Sequence, residues 1–277
     1  ILARTESAGG EMTVLTTAGT RQSNSAAAGG EGGERPGRSA QAFGHGVGAH
    51  PNVVGLERPE PASEAIAEQL RRLADLAPAT ARMHYLSWWG HGGPLLVLAE
   101  HGVAMDLSFV GIAPRLGGPG FGFGAGRPMR FHDGDDVLPL WVQPTHIEDD
   151  VLIGDLSYSA GLTSEEAVQA SGRLMDLAMT HRTTVVANLH PLLVATQHGV
   201  LLDGLLAAAQ ARGLPIVSAE RQAASATARL QFAQRATVRF TGQGWAVDGP
   251  ATVAPVWLWS PGSGCPHPTP IRAGGVP

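Results

Sequence analysis

Histidine, arginine and aspartate side chains follow apolar, strand-like segments at four places in this sequence. These side chains are His50, Arg82 with His84, Asp106, and His190. Because parallel strands place their carboxyl ends on one rim, we expect the four groups to lie close together. Neutral imidazoles are common zinc ligands, and a zinc-bound water with a pKa of about 7 can attack a carbonyl carbon. A further histidine could protonate the leaving group, so the pattern predicts a metal-dependent hydrolytic site.

Each of these side chains also has a purely structural interpretation. A single histidine in an alternating strand is more often a hydrogen-bonded structural residue than a ligand, and four polar groups at consecutive strand ends make the two interpretations about equal. His45 lies before the end of the strand that leads to His50, so a structural role is favoured there. Arg82 could simply form an ion pair with Asp106.

Strand-like and helix-like segments alternate through the middle of the chain, which predicts parallel βαβ units and an α/β fold. In the predicted helix 61–77, Ile66, Leu70 and Leu73 share one face, and Thr163 to Glu166 form a capping box that opens another helix. Further helices are predicted at 91–101, 199–212 and 219–234, and strands at 80–86, 103–110, 137–142, 184–189 and 214–218.

Composition predicts three segments. Residues 1–40 contain few large apolar side chains, so we expect disorder there, with Val14 and Leu15 as the one apolar pair. Residues 41–235 form the predicted α/β domain. Residues 236–277 change to short β patterns with glycine turns, at 237–241, 245–247 and 253–259, which predicts a small β appendage and a loose tail.

Composition also narrows the classes of function. The 277 residues are 43% hydrophobic, enough for a full-size core, and the net charge is -5 with no basic face, so we expect no nucleic-acid partner. Cys265 is the single cysteine, which excludes a cysteine zinc cluster. The sequence has no apolar stretch of membrane-spanning length and no visible signal peptide, although Ile1 rather than Met stands first. The oligomeric state is left open.

The same segments resemble the NodB-type polysaccharide deacetylases. Gly-His-Gly-Val-Gly-Ala-His at 44–50 is similar to that family's Gly-His-Glu-(Ile/Val)-Gly-x-His motif, with Gly46 in place of the glutamate. The Arg82-x-His84, Asp106 and His190-Pro191 elements follow in the family's order, and the resemblance covers about residues 42–228. It implies a distorted (β/α)7 barrel that removes acetyl groups from carbohydrate with a divalent metal, often zinc. It also implies a location outside the cytoplasm.

The resemblance implies a role for each candidate residue. His50 would be the first metal ligand. The position of the second family histidine is Val54 here, so His84 is the expected second ligand. Arg82 would orient the acidic groups, Asp106 would hold Arg82 or a histidine, and His190 would be the general acid.

The sequence departs from the family at its first motif, which carries two aspartates on the first strand. No aspartate precedes Asp75, so the chain is expected either to lack its first βα unit or to be a degenerate homologue with its barrel open at that strand. A replacement carboxylate could come from Glu148, Asp149 or Asp150, although these acids, with His146, also read as helix-start or surface charges. His45 could also join the site.

The alternative function is that of a carbohydrate-binding protein without activity. The tryptophans that could form its sugar-stacking platform are Trp88, Trp89 and Trp141. The run from His132 to Asp136 could be a cation loop, but it is more typical of a solvated turn.

Overall fold

The computed structural model describes residues 1–18, 34–56, 58–90, 92–110, 126–154, 158–240, 245–249, 256–259 and 268–271. The strands are β1 (Thr13–Thr16), β2 (Gly46–Ala49), β3 (Thr80–Ala81), β4 (Met105–Asp106), β5 (His132–Asp133), β6 (Asp136–Val137), β7 (Trp141–Val142), β8 (Ile147–Glu148), β9 (Ala187–Asn188), β10 (Thr237–Phe240), β11 (Trp245–Asp248), β12 (Val256–Trp259) and β13 (Pro268–Ile271). The α-helices are α1 (Leu2–Ser7), α2 (Glu34–Ala42), α3 (Pro59–Arg72), α4 (Gly93–Glu100), α5 (Asp149–Leu152), α6 (Ser164–His181), α7 (Pro191–Thr196), α8 (Gly199–Ala211) and α9 (Ala219–Arg235).

The fold is α/β, as predicted, and is built on a five-stranded parallel sheet. Its strand order is β1-β2-β3-β4-β7, so each strand pairs with its predecessor in this series. β8 and β9 form a second parallel pair, and β5 and β6 form a hairpin inserted before β7. Parallel neighbours need a crossover connection, which α2, α3 and α4 provide between the first four strands. All their carboxyl ends therefore lie on one edge of the sheet.

The amino-terminal segment corrects two expectations. Among the described residues of segment 1–40, α1 and β1 are ordered and α2 begins at Glu34, so disorder is wrong for 1–18 and 34–40. β1 pairs in parallel with β2 over all four of its residues, so the sheet has the strand we expected to be missing. The physical reason is local: Thr13-Val-Leu-Thr16 is a β-branched, apolar run, and average composition over forty residues hides it.

The helices follow the predicted hydrophobic periodicity more closely than the strands do. Ile66, Leu70 and Leu73 are all buried in the core between the sheet and α3. The capping box is confirmed, since Thr163 accepts a hydrogen bond from the Glu166 backbone and the Glu166 side chain accepts one from Thr163. A second core joins β8, α6 and α8.

The strands are shorter than predicted. The segment predicted as strand 80–86 leaves the sheet after Ala81, and residues 214–218 are irregular. There, Ile216 still accepts a backbone hydrogen bond of 3.0 Å from Glu11, next to β1. Early strand ends leave His50, Arg82 and His190 on loop backbone just beyond the sheet, and this loop position decides where their side chains point.

A glycine at the start of β2 makes room for a carboxylate. A Cβ atom at Gly46 would overlap the carboxylate of Glu220, which accepts hydrogen bonds from Thr13 Oγ1 (2.6 Å) and Thr80 Oγ1 (2.8 Å). The motif that this segment resembles has a glutamate at position 46. In this chain a glutamate from α9 places its carboxylate where the Cβ of a residue at position 46 would lie.

The chain divides into residues 1–223 and 224–277, so the division falls within α9, earlier than the predicted boundary after residue 235. In the second unit β10 pairs antiparallel with β11, and β12 with β13. β10, β11 and β12 lie close to the predicted β segments, whereas β13 lies in the stretch predicted to be a loose tail. Among the described residues, no helix combines the length and apolar composition that crossing a membrane requires.

Candidate functional site

Polar side chains gather where the parallel strands end. His50 follows β2, Arg82 follows β3, Asp106 ends β4, Glu148 ends β8, and His190 lies two residues after β9. Because these strands run in parallel within their sheets, each of these residues lies at a carboxyl end. The imidazoles of His50 and His84 lie 3.1 Å apart, and the charge of His190 contributes to the pKa values of both.

The imidazoles of His50 and His84 face each other. His50 Nδ1 lies 2.6 Å from the carbonyl oxygen of Arg82, and its Nε2 lies 3.1 Å from His84 Nδ1. A carbonyl only accepts, so His50 carries its proton on Nδ1 and presents a lone pair on Nε2. Burial, together with the nearby charge of Arg82, lowers the pKa of His50 to about 3. The imidazole of His50 is therefore neutral throughout the ordinary pH range, and its Nε2 keeps a lone pair that a metal ion could bind.

A strained turn positions His84. Tyr85 and Leu86 both have left-handed backbone, with φ of 50° and 53°, in the short 3₁₀ turn that follows Met83. Bulky residues rarely adopt this conformation, and such strain is concentrated at functional sites. The Met83 backbone donates a hydrogen bond of 2.9 Å to Ser108 Oγ, which ties the turn to the segment after β4. The turn directs His84 back towards His50.

Arg82 forms a buried ion pair with Glu148. The two side chains are 3% and 9% exposed, and Asn188 donates a further hydrogen bond of 3.3 Å to the same Glu148 oxygen. Burial raises the pKa of Glu148, while the guanidinium of Arg82 opposes that effect. The pair joins the segments after β3 and β8.

Asp149 holds His190. His190 donates from Nδ1 to Asp149 Oδ1 (2.6 Å) and from its backbone to Oδ2 (3.0 Å), and His198 Nδ1 lies 3.4 Å from Oδ2. Burial alone would raise the pKa of Asp149, but the hydrogen bonds from His190 outweigh it, and the pKa is lowered. The same hydrogen bond raises the pKa of His190. With Nδ1 engaged and its side chain 45% exposed, His190 can deliver a proton from Nε2.

Asp150 is the third consecutive acid, and one of its carboxylate oxygens accepts no hydrogen bond from the described residues. Tyr158 donates a hydrogen bond of 3.2 Å to Oδ2, whereas the buried Oδ1 has no hydrogen-bond partner among the described residues. Oδ1 lies 4.0 Å from His190 Nδ1. Ligand atoms of Asp149, Asp150 and His190 all lie within 4.8 Å of one another, a spacing that could hold a metal ion.

Asp106 does not hold Arg82 or a histidine, contrary to expectation. Its oxygens accept hydrogen bonds from the backbone (3.0 Å) and hydroxyl (2.5 Å) of Ser108, while Arg82 pairs with Glu148. Complete burial raises the pKa of Asp106 to about 6, despite the Ser108 hydrogen bonds. Asp106 lies on the strand next to that of Arg82, but its carboxylate is engaged by Ser108, and Arg82 pairs instead with Glu148 at the end of β8.

Replacing Asp106 tests this assignment through stability. The folded-state pKa of about 6 lies above the usual 3.8, so the folded chain gains stability from this carboxyl below pH 3.8 and loses it as the pH rises through 6. This difference corresponds to about 3 kcal/mol. From pH 4 to pH 7.5 we expect Asp106→Asn to gain up to that amount of unfolding free energy relative to wild type, measured by urea unfolding. An unchanged difference across this range would contradict the buried, elevated carboxyl.

The remaining candidates have structural roles. His45 precedes β2, where its Nδ1 accepts a hydrogen bond of 3.3 Å from the Met12 backbone and its Nε2 lies 3.4 Å from Glu6. The His132–Asp136 run is an exposed hairpin turn. Trp88 packs on Phe109 with ring centroids 4.7 Å apart, Trp89 also packs against the core, and Arg130 lies over Trp141. His146 is buried and accepts a hydrogen bond from the Val186 backbone.

Sequence reasoning missed the separate roles of the three adjacent acids. Glu148 pairs with Arg82, Asp149 with His190, and Asp150 with Tyr158. These acids stand at the end of β8 and the start of α5, but the sequence predicted no strand there, so the strand-end signal that selected the histidines did not apply to them.

The sequence matches no protein-family model and no curated protein.

Proposed function

We propose that this protein is a metal-dependent hydrolase that removes acetyl groups from N-acetylated carbohydrate, and that its strands belong to a (β/α)7 barrel. The sequential order β1-β2-β3-β4-β7 is the order a barrel requires. The observation that carries the proposal is the facing pair of nitrogens on His50 and His84, beside the Asp149–His190 pair. The resemblance of the strand-end motifs to the deacetylases supplies the substrate class.

The residues present fit a metal ion. Two nitrogens that bind zinc at about 2.0–2.1 Å in tetrahedral geometry are about 3.3 Å apart, and those of His50 and His84 are 3.1 Å apart. The carbonyl that fixes the proton on His50 Nδ1 is the usual outer partner of a metal-binding imidazole. His50 and His84 would hold the ion, which would polarise the substrate carbonyl and acidify a water.

The other residues bind, orient and transfer protons. Hydrolysis of an acetamide requires a proton on the departing nitrogen, and His190 carries one that Asp149 stabilises. The Arg82–Glu148 ion pair fixes the carbonyl that orients His50. His190 is therefore held by the buried carboxylate of Asp149, and His50 by the backbone carbonyl of Arg82, whose side chain forms a buried ion pair.

The test is zinc content together with acetate release. Wild-type protein dialysed against zinc is expected to retain one ion per chain and to release acetate from an N-acetylated chito-oligosaccharide. His50→Ala and His84→Ala should each lose the ion and the activity, whereas His101→Ala, which removes an exposed histidine at the end of α4, should lose neither.

Two outcomes would overturn the proposal. A wild-type chain that retains no zinc and releases no acetate is not this kind of hydrolase. Oligosaccharide binding that persists in chelator without acetate release would instead identify a carbohydrate-binding protein.

A further inference from the structure

Two backbone hydrogen bonds connect the turn that carries His84 to neighbouring strand ends. The His84 N–H donates to the Pro51 carbonyl (2.9 Å), after β2, and the Met83 N–H donates to Ser108 Oγ (2.9 Å), after β4. The two residues that follow His84 have left-handed backbone, which bulky side chains keep only where the surroundings impose it. The two hydrogen bonds therefore hold a strained turn in the conformation that presents the His84 imidazole.

The hydrogen bond to Ser108 stands where the backbone ladder between β3 and β4 ends. The Leu107 N–H donates to the Ala81 carbonyl (2.8 Å), and Met83, two residues after Ala81, faces the same neighbouring strand. The Leu107 carbonyl accepts a hydrogen bond from the Thr145 hydroxyl (2.9 Å), and the Ser108 side chain supplies the acceptor for Met83. A side chain thus takes the place of a backbone carbonyl at this point.

A buried carboxylate fixes the direction of the Ser108 hydroxyl. An N–H group only donates, so Oγ accepts from Met83 and its own proton is available to another acceptor. That acceptor is Asp106 Oδ1 (2.5 Å), while Asp106 Oδ2 accepts from the Ser108 backbone (3.0 Å). Both Ser108 and Asp106 are buried, so solvent does not compete for these groups.

Asp106 destabilises the folded chain at neutral pH. Burial raises its pKa to about 6, so above that pH the fold holds the carboxyl in its less favourable, charged form. No described residue forms an ion pair with Asp106, because Arg82, the cation whose charge reaches it, pairs with Glu148. A neutral asparagine has nearly the same shape and no charge to bury, so stability alone does not account for this carboxylate.

We propose that Ser108 and Asp106 are positioning residues of the metal site, which act through Met83 to hold the His84 imidazole against Nε2 of His50. The inference rests on the proposed function, in which the two histidines hold the ion. Their nitrogens lie 3.1 Å apart, so an ion can bind without rearrangement of the turn. A ligand that is already in place loses less freedom on binding, so zinc affinity depends on the groups that hold it there.

Zinc affinity and the cobalt spectrum test the inference without reference to activity. Ser108→Ala removes the acceptor of the Met83 N–H, so the strained turn can relax. We expect zinc binding to weaken by about 10-fold, measured by competition with a chromophoric chelator, and the visible spectrum of cobalt-substituted protein to change. Ser171→Ala is the matched control, because it removes a buried serine hydroxyl that donates to a carbonyl within α6 (2.7 Å), and it should bind zinc as wild type does.

Asp106→Asn separates positioning from stability. The Ser108 backbone N–H requires an oxygen, so the amide nitrogen of the asparagine faces Oγ and the Ser108 hydroxyl loses its acceptor. The variant is therefore expected to be more stable than wild type in urea at pH 7.5 and yet to bind zinc about 3-fold to 10-fold more weakly. A purely structural role would change stability and leave zinc affinity as it is.

The outcomes distinguish this inference from the proposed function. If His84→Ala loses zinc while Ser108→Ala and Asp106→Asn bind it as wild type does, the inference is wrong and the hydrolase proposal stands. If the wild-type chain binds no zinc, both fail. Should Ser108→Ala not fold, Asp106→Asn decides, because wild-type zinc affinity in that variant overturns the inference.

Discussion

Replacing His190 by alanine is expected to lower kcat for acetate release by about 10²-fold to 10⁴-fold while zinc content stays unchanged. The imidazole donates Nδ1–H to Asp149 and exposes its other nitrogen, the arrangement of a general acid. Alanine removes the proton that the departing nitrogen needs but leaves His50 and His84 in place. Steady-state kinetics and metal analysis of the same preparation measure both effects, and His101→Ala serves as the control. A kcat within a few-fold of wild type would remove His190 from the mechanism.

Asp149 is the positioning residue behind this effect, and pH reveals it. The hydrogen bond to Asp149 raises the pKa of His190, so the protonated acid persists to higher pH than an ordinary histidine would. We therefore expect activity to fall as pH rises through that elevated pKa. In Asp149→Asn the pKa of His190 drops, so we expect the basic limb of the kcat profile to move to lower pH. An unshifted limb would assign Asp149 a structural role alone.

The sequence predicted that the site lies at the ends of strands, because apolar segments that form strands can be recognised in a sequence. His50, His84 and His190 follow apolar segments that form parallel strands, and parallel strands share a rim. The partners of these side chains were not readable in the same way. Arg82 and Glu148 are 66 residues apart, and nothing in the sequence distinguishes Glu148 from Asp106 as the acid that Arg82 meets. Three adjacent acids at a helix start also look like charges that favour the helix dipole.

At the amino terminus the prediction failed for the secondary structure itself, because strand β1 was not predicted. The low average hydrophobicity of the first 40 residues concealed strand β1. All four residues of β1 pair with β2. The strand ends beside His50, because the His50 backbone donates a 2.8 Å hydrogen bond to the Thr16 carbonyl. The strand is present, and what the chain lacks there is carboxylates. Thr16 and Thr17 stand at its end, and Thr16 Oγ1 is buried without a partner among the described residues. A strand therefore precedes β2 in this sheet, and threonines rather than carboxylates stand at its end.

Replacing Arg82 by methionine is expected to give the largest loss of stability in the site, about 3–5 kcal/mol at pH 8. Methionine fills much of the volume but leaves the Glu148 carboxylate buried without its cation. Burial already raises the pKa of Glu148 and Arg82 opposes it, so the pKa rises further in the variant. A folded-state pKa above the usual 4.5 means that stability is present below pH 4.5 and lost as pH rises through the folded pKa. The deficit should therefore be smaller at pH 5 than at pH 8 in urea unfolding.

The double variant Arg82→Met with Glu148→Gln separates charge from packing. Glutamine keeps the shape and can still accept the hydrogen bond from Asn188, but it has no buried charge to leave unpaired. Replacing both members of a buried ion pair is often nearly neutral, so we expect the double variant to recover most of the loss and to lose the pH dependence. If it were as unstable as Arg82→Met at both pH values, the contribution of Arg82 would lie in its packing. Recovery of stability in the double variant would show that Arg82 acts mainly by neutralising the buried charge of Glu148, near the strand ends that carry His50 and His190.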